Sequence, residues 1–340
     1  MNNILGIIGL AMAAIVGAGF SSGKEIAIFF NNTGNYGILN IILAILVFFF
    51  TFYYVFKLII KHDIDNFSDL VKVITNKQIS KFASNIMSVF LLLIFWIMLA
   101  GFGAFLSQLW HIPTIVGSIL LALICYITFK FNIEEIIKIG KYAIPFIILG
   151  IGLLFFTSPI SYQINTSTNV SIFKGITSGI IYACYNLVIA IPIMISARDL
   201  IKNNKERILS VIGICSVLGV LISLIFLLNN TYIFSITSLD MPLLYIASQK
   251  NTTIYIFYVI MICLAIYTTA ISSGYTVIST YSKNKKVKEF LSICVCLVGI
   301  LVSKINFSAL LEYCFTWIGY IGLLEILFII RAVHRDKKWH

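Results

Sequence analysis

Three stretches of this 340-residue chain set residues capable of chemistry into otherwise apolar surroundings. The first, IVGAGFSSGKEIAIFF at positions 15–30, holds Gly17, Gly19 and Gly23 within seven residues, with Ser21 and Ser22 between them and Lys24 and Glu25 following. Glycine and serine at that density weaken a helix. A Lys–Glu pair inside an apolar run is costly unless protein or water surrounds it. An interrupted helix leaves unpaired N–H groups where one half starts and unpaired C=O groups where the other ends; the former attract an anion such as a carboxylate, the latter a cation. The backbone from Ala18 through Gly19, Ser21 and Ser22 to Gly23 is thus a candidate holder of a substrate carboxylate, with glycine allowing close approach.

The second stretch, GIIYACYNLVIAIPIMISAR at 179–198, has a polar middle of Tyr182, Tyr185 and Asn186, and Pro192 removes a backbone donor. It also reads as a discontinuous helix, its polar side chains facing the first stretch. Trp96, in the middle of another apolar run, is a candidate pocket wall; a core aromatic is the other reading of it. The third stretch, IYTTAISSGYTVIST at 266–280, places Thr269, Ser272 and Ser273 on one helical face at i, i+3 and i+4.

Each pattern has a plainer explanation. Gly19 and Gly23 are spaced as a helix-packing face, although that leaves the serine pair, Lys24 and Glu25 unexplained. Hydroxyls on a membrane helix often bond their own i−4 carbonyls. Lys24 and Glu25 are also open to snorkelling or purely local bonds. A phosphate loop is excluded, because GxxxxGK[ST] needs Gly at 18, where Ala stands, and Ser or Thr at 25, where Glu stands.

These stretches must be positioned by membrane helices. Sixty per cent of residues are hydrophobic and only 11% charged, too few charges for the surface of a water-soluble domain of this length. Apolar runs at about 3–30, 37–60, 83–108, 114–130, 140–157, 170–197, 208–229, 252–280, 287–303 and 308–331 predict ten spans, each helical because hydrocarbon offers the backbone no partner. If the N-terminus is cytoplasmic, 20 of the 24 Lys and Arg fall in inner loops and the tail, all but Lys24, Lys174, Lys250 and Lys304. That alternation holds at every loop and puts both termini inside. The formal charge of +11 is therefore an orientation signal spread over five segments, which excludes the single basic face of a nucleic-acid binder. The first run has no basic start and is expected to stay as a helix. The seven cysteines, all within apolar spans, and four scattered histidines form no metal-ligand pattern. No carboxylate pair or Ser/His/Asp set suggests an enzyme, no repeated charged ring suggests a channel, and no organic cofactor is implied.

The interrupted spans are numbers one and six of ten, with breaks about 165 residues apart. The longest loops follow spans two and seven. Each carries a predicted surface helix, opened by Ser68-Asp69 in one loop and by Asp240-Met241-Pro242 in the other. Five spans per copy put the second copy upside down, which divides the chain into a first half at 1–160, an inverted second half at 161–331 and a basic tail at 332–340. Interrupted segments at matching positions of two halves point to a transporter binding site.

In helix order the chain resembles a LeuT-fold transporter of the amino acid–polyamine–organocation superfamily over essentially its whole length. The GAGFSSGKEI segment is similar to that of the bacterial YkvI-type membrane proteins. This resemblance implies a secondary transporter in a bacterial inner (plasma) membrane, moving a small zwitterionic solute, most simply an amino acid, by alternating access. The same fold also serves as an amino-acid sensor that signals without transport, which stays as the alternative. Sodium-coupled members bind Na+ between helix-one carbonyls and a hydroxyl pair on helix eight. Aligning Gly17 with the family's helix-one glycine carries that role to the carbonyls of Ala13 and Val16 and to Thr269, Ser272 and Ser273. A proton-coupled member would place a Lys or carboxylate there; Lys141 is the nearest candidate and lies toward the cytoplasmic end of span five. The resemblance further implies an outer gate between Lys24 and Glu312, with Glu25 capping the half-helix or lining the vestibule. Glu325 has no expected partner.

Overall fold

The computed structural model describes residues 2–65, 67–75, 77–130, 133–161, 170–196, 198–201, 203–236, 238–282 and 284–337. The tail end at 338–340, the segment 162–169 just after the start of the second expected half and the side chain of Lys141 lie outside the described residues.

Every regular element among the described residues is helical. The order is α1 (Asn2–Ile15), α2 (Ala18–Ser22), α3 (Lys24–Phe29), a short 3-10 segment (Asn31–Tyr36), α4 (Gly37–His62), α5 (Phe67–Ile74), α6 (Lys77–Trp110), α7 (Thr114–Thr128), α8 (Ile133–Phe156), α9 (Ile172–Ser196), α10 (Asn204–Thr231), α11 (Ile233–Ile236), α12 (Pro242–Ser248), α13 (Thr252–Tyr281), α14 (Lys285–Val302) and α15 (Phe307–Lys337). Span one is therefore α1–α3, and spans two to ten are α4, α6, α7, α8, α9, α10, α13, α14 and α15. Among the described residues, six helices are both long and apolar enough to cross a membrane alone, while α1, α7 and the apolar part of α8 are shorter. The chain is a multi-pass helical membrane protein.

Local chemistry sets the boundaries. Asn203, Asn251 and Asn284 start α10, α13 and α14 by accepting the backbone N–H three residues on, at 2.8, 2.9 and 2.9 Å, which satisfies a donor that the first helical turn cannot. The two surface helices are present as α5 and α12. Asp240 does not open α12, however. Pro242 takes the first position there after Met241, and Asp240 instead accepts the Ser308 N–H (3.2 Å) and hydroxyl at the start of α15.

In the centre, α9 packs against α4 and α15, and α1 leans on it as well; α13 lies between α6 and α8 and touches α2. The expected break in span six is absent: α9 runs unbroken from Ile172 to Ser196 with Pro192 inside it. Asn186 shows why its polar middle stays helical, because its side chain donates to the Tyr182 carbonyl of its own helix at 3.0 Å. The disturbance in this helix lies nearer its start. Asn40 of α4 donates to Gly175 O at 2.5 Å and accepts from Gly179 N at 2.8 Å, bridging the two groups that close one helical turn.

Candidate functional site

The site is built around two interruptions in span one. The helix α1 ends at Ile15, and Gly17 adopts an extended conformation (φ −101°, ψ −162°). Its N–H turns to Ile15 O at 3.0 Å and so leaves Ala13 O without its regular donor. Val16 O likewise receives no bond from Phe20 N, whereas one residue later Ser21 N reaches Gly17 O at 2.9 Å and the ladder resumes. The break thus frees the carbonyls of Ala13 and Val16, the pair carried over from the sodium-coupled transporters. On the other side of the break, Ala18, Gly19 and Phe20 are the first residues of α2, where N–H groups have no helical acceptor.

Gly23 makes the second interruption with φ +80°, a left-handed conformation that a Cβ would strain. Its N–H returns to Phe20 O (3.0 Å), and α3 starts at once. The two serines serve these turns locally: Ser21 Oγ donates to Gly17 O (2.9 Å), and Ser22 Oγ donates to Gly19 O (2.8 Å) while accepting the Lys24 N–H (3.2 Å). The open N–H groups are therefore those of Ala18 to Phe20, a narrower set than Ala18 to Gly23.

Other helices take up the groups the breaks expose. Tyr258 of α13, fully buried, donates to Ser21 O at 2.7 Å. Asn229 of α10 donates to Gly23 O (3.0 Å) and to Asn31 Oδ1 (3.2 Å), and Asn31 donates to Phe226 O (3.0 Å). None of these residues was singled out from sequence. The Asn229-Asn230 pair at the end of an apolar span was the available signal; Tyr258 resembles any other aromatic in a membrane helix.

Thr269 also reaches the break, since a Cβ added to Gly17 would lie 3.3 Å from its Oγ1. Its hydroxyl donates to Ala265 O (2.9 Å), and buried Ser273 donates to Thr269 O (2.7 Å). Each hydroxyl oxygen keeps lone pairs for a cation. Ser272 is exposed and also bonds Thr269 O, at 3.1 Å. Hard oxygen donors of this kind suit an alkali or alkaline-earth cation.

Two other expectations are corrected. Trp96 does not wall this region; its Nε1 donates to Val295 O of α14 at 3.0 Å, and its ring lies against Gly299. An indole N–H within apolar protein takes an available carbonyl, and here α14 supplies one. The Lys24–Glu312 pair is not formed. Lys24 Nζ donates to Leu239 O at 2.7 Å from a buried position, while exposed Glu312 pairs with Lys174 at 3.5 Å.

Glu25 turns inward, buried at 5% exposure, and accepts the Tyr185 hydroxyl at 2.5 Å. The aromatic rings surrounding it are close: Tyr185 stacks on Phe315 of α15 (4.5 Å between centroids) and meets Tyr182 edge-on (5.5 Å), and Phe29 and Phe30 lie 5.8 and 4.8 Å from Tyr182. Tyr185 and Tyr182 thus meet α3 through Glu25, Phe29 and Phe30, whereas Asn186 is tied to the Tyr182 carbonyl of its own helix. Glu325 of α15 is also turned into the protein, and its Oε1 has no partner among the described residues.

No family model matches the chain. It is 22% identical over 266 residues, covering 77% of both chains, to the "uncharacterized protein YyaD" of Bacillus subtilis (strain 168). Among solved structures it is similar to a Na+-coupled sialic acid symporter in a substrate-bound, outward-open state, with a TM-score of 0.59 and 16% identity over 96% of this chain and 78% of that one. It is also similar to Mhp1 facing inward, with a TM-score of 0.56 and 15% identity over 92% and 73% of the two chains. A third likeness is to Mhp1, described as a nucleobase-cation-symport-1 family transporter, closed with bromovinylhydantoin bound, with a TM-score of 0.52 and 16% identity over 92% and 74%. These structures are LeuT-fold transporters, and the fold of this chain is theirs.

Proposed function

We propose that this chain is a secondary transporter that moves a small zwitterionic solute of the amino-acid class by alternating access, with Na+ as the coupling ion. The doubly broken first span carries the reading. It frees the Ala13 and Val16 carbonyls next to Gly17, against which Thr269 packs, and it opens the Ala18–Phe20 N–H groups, with Glu25 lying over Gly19 and bonded to Tyr185. A cation and an anion thus find complementary groups a few residues apart, and one movement of the half-helix acts on both. The likeness to a Na+-coupled symporter supports the cation.

In this reading the chain belongs with the YkvI-type branch of the amino acid–polyamine–organocation superfamily. It sits in a bacterial plasma membrane with both termini cytoplasmic, and the segments 1–160 and 161–331 are inverted halves. Proteoliposomes containing only this chain test it. Inward Na+ should drive accumulation of at least one member of an amino-acid panel, and choline in place of Na+ should abolish it. Thr269→Ala should raise the Na+ concentration needed by about tenfold, the loss expected for one charge-assisted contact. Binding without accumulation would instead support a sensor, and accumulation indifferent to Na+ would remove Na+ as the coupling ion.

A further inference from the structure

Glu25 occupies the space that the sequence reserves for a bound carboxylate. A Cβ placed on Gly19 would meet Glu25 Oε1, Cδ and Cγ at 2.0, 2.7 and 2.8 Å, so the acid side chain lies directly over the middle of α2. A solute carboxylate at that spot would face a like charge at close range. Glu25 itself has no cation: no ion pair to it exists among the described residues, and neighbouring Lys24 is turned to Leu239 O. A carboxylate buried within the membrane without a counter-charge is costly. The Tyr185 hydroxyl supplies one hydrogen bond, to Oε2 only.

A second, independent feature points the same way. The Tyr182 hydroxyl is fully buried, lies within electrostatic reach of Glu25, and makes no well-formed hydrogen bond among the described residues. Its oxygen is an open acceptor in a setting that also holds Glu25, the Asn186 side chain and the rings of Phe29 and Phe30. A buried polar group left unpaired indicates a missing partner.

We propose that Glu25, Tyr182 and Tyr185 form a subsite for the ammonium group of a small primary amine, whether a simple amine or the amino end of a zwitterion. An ammonium has three donors and no acceptor. Glu25 Oε1 and Tyr182 Oη accept two of them. The Tyr185 hydroxyl holds Glu25 in place by its bond to Oε2. The carboxylate of a zwitterion is then displaced from Gly19 toward the open end of α2. This assignment rests on the transporter reading for the movement of the ligand, but not for its binding.

The test uses the full chain in nanodiscs and a panel of amino acids, each beside its decarboxylated amine and its deaminated acid, with thermal stabilisation as the readout. At least one amine and its parent amino acid should stabilise the protein, and the matched acid should not. Glu25→Gln, which keeps the shape, should weaken amine binding by about tenfold or more. Tyr182→Phe should weaken it by a smaller factor while leaving the unliganded melting temperature unchanged. If Glu25→Gln does not fold, the Tyr182→Phe result and the amine-versus-acid order decide. Equal stabilisation by the acids, amine affinity indifferent to both substitutions, or no binding of any amine would each overturn the subsite. Accumulation of a deaminated acid by wild-type proteoliposomes would remove the subsite and keep the transporter, whereas Glu25-dependent amine binding with no accumulation would do the reverse.

Discussion

Spans one and six carry comparable polar content, yet only one of them breaks. Span one is cut into α1, α2 and α3 by Gly17 in extended and Gly23 in left-handed conformation. Span six, with Tyr182, Tyr185, Asn186 and Pro192, stays a single helix. The contrast separates two properties that a sequence mixes together. A polar side chain in a membrane helix can be satisfied without disturbing the ladder, as Asn186 is by the carbonyl one turn back. A break requires a residue that adopts a non-helical dihedral cheaply, together with neighbours that accept the released backbone groups. Span one has both, with Tyr258 on Ser21 O and Asn229 on Gly23 O. Span six uses Gly179 differently, as a gap through which α4 approaches: a Cβ there would lie 2.2 Å from the backbone oxygen of Asn40.

The strongest way to break this comparison is to fill that gap. In Gly179→Ala the clash is with backbone, which cannot rotate away, so α4 and α9 must separate and the Asn40 bridge must loosen. The expected cost is about 3 kcal/mol, at the upper end for overpacking, read as a large fall in melting temperature in detergent; an unchanged melt would show that the contact is not tight. Gly23→Ala probes the conformational role. The left-handed dihedral costs about 1–2 kcal/mol with a Cβ present, and buried Leu243, whose Cγ would lie 2.6 Å away, must shift as well. A loss of about 2 kcal/mol is expected, with Gly23→Asn milder because Asn tolerates that region. Equal losses for the two variants would mean that space, not dihedral, fixes this glycine.

The order of the spans was legible because hydrocarbon imposes one rule on every segment: apolar, about 20 residues long, and helical. The run read at 252–280 is α13 at Thr252–Tyr281, and the run at 114–130 is α7 at Thr114–Thr128. The break at Gly17 to Gly23 was legible because three glycines among two serines leave little else to form. What escaped was side-chain direction at long range. Lys24 chooses Leu239 O over Glu312, which lies exposed beside Lys174. Trp96 turns to α14, and Asp240 caps α15 when its own sequence points to α12. Each choice depends on which of several partners the packed bundle places nearest, and spacing along the chain holds no record of that distance. Asn40 is the sharpest case: nothing in ILNIILAI announces that it will bridge two residues some 135–139 positions away.

Smaller substitutions sharpen the contrast. Tyr258→Phe removes the donor to Ser21 O without changing shape. It should cost about 1 kcal/mol, the usual worth of one such bond with its acceptor left buried, and, under the proposed transport function, it should lower uptake more than stability because the bond holds α2 against α13. Equal effects on both would make Tyr258 merely a core residue.

Pro192→Ala should have the smallest effect of all. The helix already continues past Pro192 to Ser196, so alanine restores one N–H and removes one ring from a segment whose course is set by its packing on α4 and α15. The melting temperature should stay within about 1 kcal/mol of wild type, on the stabilised side, and uptake should be unchanged if the breaks in span one supply the motion. Normal stability with uptake reduced tenfold would be the informative failure. It would mean that α9, continuous in this structure, breaks at Pro192 during the proposed transport cycle, and that the two spans differ in when they break and not in whether they do.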